Sequence, residues 1–98
     1  MFSWFDALAA KEFGATMARF YIERMPPNSG LSEKKFANKS QQVLEKMGLQ
    51  IAGFKQQGKL NTYKLAQMGN TFKWALKDAG YDDAYIDKLT RWLVARLQ

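Results

Sequence analysis

The chain has 98 residues, enough for one domain with a single modest core, and 47% are hydrophobic and 14% aromatic, which predicts a packed interior rather than disorder. It contains no cysteine and no histidine, which excludes disulfides, thiolate nucleophiles, imidazole bases and nearly all zinc chemistry. The net charge of +6 is unevenly spread: residues 1–33 carry three Lys/Arg against four acids (−1), residues 34–77 nine lysines against Glu45 alone (+8), and residues 78–98 three against four (−1). A basic middle between two near-neutral ends suggests a positive patch suited to anionic partners, the plainer reading being lysines on solvated faces.

The opening segment MFSWFDALAAKEFG has no positive n-region and meets Asp6 early, so a signal peptide is not expected. With no apolar run of membrane-spanning length, a soluble, cytoplasmic protein is the expectation. A first helix is predicted over 3–25, capped by Ser3 and stopped by Pro26-Pro27. Its apolar residues fall on two sides. Phe2, Ala9, Phe13 and Phe20 form one stripe, flanked by Met17 and Tyr21, and Trp4, Leu8, Ala15, Ala18 and Ile22 form another, with Glu12, Thr16, Arg19 and Glu23 in a polar strip between. A helix apolar on two sides is either central in its bundle or has one side reserved for a partner, and central packing is the expectation.

After the loop PPNSG, a second helix is predicted over 32–57, a third over 62–79 and a fourth over 83–97. Each opens with a polar cap inside a hydrophobic staple: Leu31, Ser32 and Phe36; Leu60, Asn61 and Leu65; Tyr81, Asp82 and Ile86. Gly80 suits the left-handed residue that ends helix three. Helical spacing predicts core stripes of Phe36, Val43, Leu44, Met47, Ile51 and Phe54; of Leu65, Met68, Phe72, Leu76 and Ala79; and of Ile86, Leu89, Leu93 and Leu97. Gly48 and Gly53 weaken helix two and predict a kink or a close helix crossing there. The fold class expected is a single all-α domain over 1–98, a bundle of about four helices.

Catalytic chemistry finds little to use. Asp78, Asp82, Asp83 and Asp87 cluster in sequence, but the last three belong to the opening of helix four, where acids cap N–H groups and suit the helix dipole. No phosphate-binding glycine loop occurs. A helix-turn-helix reading of KLAQMGNTFKWALKDAGY fails because the apolar period runs unbroken through Gly69. An enzyme is not expected, no cofactor or metal is implied and no small-molecule substrate is identified.

Two candidate surfaces remain. The first is a protein-interaction face comprising Trp4, Leu8, Ala15 and Ile22 of helix one with Tyr63 and Trp74 of helix three; Trp92 is a further aromatic away from the core stripes. For Trp74 the expectation is that a neighbour, helix one, covers it, the alternative being a binding surface beside Lys77. The second is an anion-binding face of Lys35, Lys39, Lys46, Lys55, Lys59, Lys64, Lys73 and Lys77, where lysines and aromatics are the ingredients of RNA or single-stranded DNA binding. Membrane attachment through MFSWF is disfavoured because helix one carries little positive charge.

The segment KLNTYKLAQMGNTFKWALKDAGYDDAYIDKLTRWLVARL, with YIERMPP upstream, resembles a group of short, uncharacterised proteobacterial proteins, most strongly over GNTFKWALKDAGYD. The resemblance implies an all-helical cytoplasmic bacterial protein and brings no activity, cofactor or site residues. The function expected is a protein-interaction module, self-associating through helix one or docking on a larger partner, with nucleic-acid binding through residues 34–77 as the alternative.

Overall fold

The computed structural model describes residues 4–58 and 60–98, with side chains from Ala7 onward, so the expected cap Ser3, the Phe2 and Trp4 side chains and Lys59 lie outside the described residues. Four α-helices account for nearly all of it: α1 (Trp4–Arg24), α2 (Glu33–Lys55), α3 (Thr62–Ala79) and α4 (Asp83–Leu97). The three caps act as their side chains dictate. Ser32 Oγ accepts from the Lys35 N–H, Asn61 Oδ1 from Lys64 and Asp82 Oδ2 from Tyr85, each satisfying an amide that the first helical turn leaves without a partner. Gly80 takes φ 99°, a left-handed conformation that ends α3 at little cost only for glycine.

The helices run up, down, up and down, yet their order around the bundle is α1, α3, α4, α2. Gly14 lies against Met68, and the Tyr81 hydroxyl, just beyond α3, donates to the Met25 carbonyl, so α1 and α3 are parallel neighbours. Phe13 stacks on Phe54 while Tyr21 reaches Ser40, making α1 and α2 antiparallel. Phe36 meets Tyr85 at one end of α2 and Gly48 approaches Arg96 further along, so α2 and α4 run parallel. The diagonal pairs, α1 with α4 and α2 with α3, do not bring their backbones together, although Tyr21 of α1 reaches across the core to Tyr85 of α4.

Between them lies a core of buried Val43, Met47, Ile51, Met68, Phe72, Leu76, Ile86, Leu89, Leu93 and Leu97, with Phe36, Leu44, Phe54, Leu65 and Ala79 packed partly buried against it. The stripes of α2, α3 and α4 thus face inward at the positions their spacing predicts. Apart from the hydroxyl-bearing Tyr21 and Tyr81, no polar or charged side chain is buried among the described residues.

Helix α1 departs from expectation. Its deepest line is Ala10, Gly14, Met17, Ala18, Tyr21 and Met25, whereas Phe13 and Phe20 are only partly buried at one edge and Leu8 is exposed at the other. Of the second stripe, Ala18 is wholly buried, Ile22 packs partly buried against the core and Ala15 is partly buried, so among its described side chains Leu8 alone is exposed. The seam consists of small residues because α3 comes very close: a Cβ built on Gly14 would stand 2.5 Å from the Met68 carbonyl oxygen. The close crossings anticipated at Gly48 and Gly53 are absent, since Gly53 has open space and Gly48 only an ordinary contact with Arg96, and α2 is one continuous helix.

Candidate interaction face

On α3, Phe72 and Leu76 point inward, and residues about half a turn away point outward. Tyr63 and Trp74 occupy that outer side and are 53% and 50% exposed. The expected covering of Trp74 by α1 is thus contradicted. The reason is geometric: α1 meets α3 on its Met68 flank, α4 meets it on its Gly69 flank through Val94 and Thr90, and among the described residues no further helix covers the third side. Trp74 instead has the Lys77 ammonium 5.3 Å from its ring centroid. An exposed cation–π contact of this kind contributes about 0.5–1 kcal/mol.

On α1, Ala15 and Ile22 lie one step around the helix from Gly14 and Ala18, on the flank beside α3 and turned away from α2. Both are partly buried, and Leu8 on the same flank is 36% exposed. Because α1 and α3 are parallel, with residue 14 level with 68, Leu8 stands near the height of Tyr63 and Ile22 near that of Trp74. Five of the six residues expected to form an interaction face therefore lie along one outer face of the α1–α3 pair, and the side chain of the sixth, Trp4, lies outside the described residues.

Glu12 and Arg19 border this face, exposed and two turns apart, and among the described residues neither has an ionic partner. Trp92, by contrast, packs partly buried in the contact between α2 and α4, with the Arg96 guanidinium 5.3 Å from its ring centroid. It belongs to the bundle rather than to this face.

The lysines do not come together. Lys35, Lys39 and Lys46 share one strip of α2, outside the α2–α4 groove that Ala37, Gln41 and Leu44 line. Lys73 lines the groove between α3 and α4, on the far side of the bundle, and Lys77 lies next to it beside Trp74. Lys55 closes α2, and Lys64 sits partly buried in the first turn of α3. Because α2 and α3 are diagonal, a segment continuous in sequence becomes two separated basic strips.

Among the described residues no three acidic side chains gather to hold a metal ion, and no helix is long and apolar enough to cross a membrane. No protein-family model, curated protein or solved structure matches the chain.

Proposed function

We propose that this protein is a non-enzymatic interaction module of the cytoplasm that associates with a second copy of itself through the outer face of α1 and α3. The observation that carries the reading is the half-exposed indole of Trp74 on the outer side of α3, with Tyr63 and Leu8 also exposed on the same α1–α3 face. Tryptophan and tyrosine are enriched where binding energy concentrates, and an aromatic row on a rigid helix loses little entropy on docking.

The order of side chains along α1 favours a second copy as the occupant. A twofold interface requires that if residue i meets j, then j meets i. In an antiparallel α1–α1 pairing centred between Ala15 and Thr16, Glu12 of one copy faces Arg19 of the other, twice over, while the small central residues permit close approach. The alternative, an RNA or single-stranded DNA accessory protein, draws less support from two basic strips on opposite sides of the bundle.

Sedimentation velocity across a dilution series tests the reading. Wild-type protein is expected to shift from dimer to monomer as concentration falls, and Trp74→Ala to remain monomeric at concentrations where wild type is dimeric. A wild-type monomer at every concentration excludes self-association.

A further inference from the structure

A second site lies at the end of the bundle where α1 and α3 finish. Pro26, Pro27 and Asn28 of the first loop, Phe36 of α2, Gly80, Tyr81 and Asp82 of the α3–α4 turn and Tyr85 of α4 line a pocket of about 340 Å³, at the small end of the range for ligand sites. Three aromatic rings form its wall: Tyr81 and Tyr85 lie nearly parallel, with centroids 6.2 Å apart, and Phe36 is tilted against Tyr85 at 6.0 Å.

The hydroxyls of both tyrosines are spent inside the protein. Tyr81 donates to the Met25 carbonyl, and Tyr85 pairs with the buried Tyr21 hydroxyl, which also reaches Ser40 at 3.4 Å. Burial pushes the Tyr81 phenol up to about 12 and raises Tyr21 as well, so both stay neutral at physiological pH. What faces the pocket is therefore ring surface rather than phenolic donors.

The sign of the pocket is negative. Among the described residues Asp82 is its only charged lining residue, and no lysine or arginine lines it. The Arg24 guanidinium sits over the Phe20 ring, and the Lys77 ammonium lies 4.0 Å from Asp83. The carbonyl ends of α1 and α3 terminate here, and Pro26 and Pro27 bring no N–H to the last turn of α1. The amino ends of α2 and α4 at the same end are each met by acids, Glu33 for one and Asp82 and Asp83 for the other.

Three aromatic rings, one carboxylate and no lysine or arginine in the lining describe the chemistry that holds an alkylammonium head: rings supply cation–π attraction and an apolar wall, the acid a counter-charge. We infer that this pocket binds a quaternary or alkyl ammonium group, from a free solute or from a methylated lysine side chain. The site is separate from the α1–α3 face and does not depend on self-association. Its rigidity comes from the two prolines and from the Tyr81–Met25 bond, which ties the end of α1 to the start of α4.

The test compares choline with its neutral isostere 3,3-dimethylbutan-1-ol, following the aromatic NMR resonances of Phe36, Tyr81 and Tyr85. Choline is expected to bind at least about tenfold tighter than the isostere. Asp82→Asn is expected to lose most of that preference while keeping the fold, because asparagine caps a helix as well as aspartate does. A short peptide carrying one trimethyllysine separates the two sources: tighter binding than choline assigns the pocket to protein tails, and equal binding to free solutes. Equal binding of choline and its isostere, or no shift by either up to about 50 mM, overturns the inference.

Discussion

Gly14→Ala is expected to lower the unfolding free energy by about 2 kcal/mol, although alanine is the better helix former. The added Cβ would stand 2.5 Å from the Met68 carbonyl oxygen and 3.3 Å from two further Met68 backbone atoms. Backbone cannot rotate aside as a flexible side chain can, so α1 and α3 must part. Overpacking of this kind costs about 3 kcal/mol, offset by up to about 1 kcal/mol of helix propensity. In a domain of this size the net loss corresponds to a melting temperature roughly 10 °C lower. Gly53→Ala is the internal control, since nothing lies within 4 Å of its Cβ position on an exposed part of α2. There the propensity term acts alone, and stability should rise by up to about 1 kcal/mol. Chemical denaturation of the two variants reads both signs. A neutral or stabilising Gly14→Ala would show that α1 and α3 do not approach as described.

Phe72→Ala should cost more, about 3–5 kcal/mol, because the ring is wholly buried among Met68, Leu76 and the facing helices and its removal leaves a cavity the core cannot fully close. Against a total stability of about 5–15 kcal/mol, that leaves a domain near its limit. Two residues on, Trp74→Ala should change monomer stability by less than about 1 kcal/mol, since it removes a half-exposed ring and one surface cation–π contact. The aromatic pair thus separates by role: one holds the bundle together, and the other is available to a partner. Denaturant titration at concentrations low enough to keep the protein monomeric checks both. A loss from Trp74→Ala comparable to that from Phe72→Ala would place the indole in the core.

Helices α2, α3 and α4 were legible because their boundaries and faces rest on local chemistry. Ser32, Asn61 and Asp82 cap where their hydrogen bonds require, and the stripes through Met47, Phe72 and Leu93 point inward. Helix α1 is less legible because periodicity gives weight to large apolar residues. Phe13 and Phe20 drew attention, while the deepest line runs through Ala10 and Gly14, which are small because a neighbouring backbone lies against them. That closeness is a tertiary fact with no local signature beyond the glycine itself. The exposure of Trp74 and the splitting of the lysines share one cause. Both depend on the order α1, α3, α4, α2 around the bundle, which places consecutive helices α2 and α3 on a diagonal, and capping and amphipathicity do not encode that order. The aromatic pocket was missed for a related reason. In the sequence Tyr81 has the position of half a staple, and the inward pairing of its hydroxyl with Met25 depends on where the end of α1 lies.

The most direct test of the self-association face mixes two charge-reversed variants. Glu12→Arg alone and Arg19→Glu alone each place like charges opposite one another twice in an antiparallel α1–α1 pair, whereas one copy of each restores two opposite-charge contacts. Sedimentation velocity should therefore show each variant as monomer by itself and the equimolar mixture as dimer. If the mixture sediments like its separate components, α1 does not pair antiparallel around Ala15 and Thr16, and the outer face of α1 and α3 does not serve a second copy in the manner proposed.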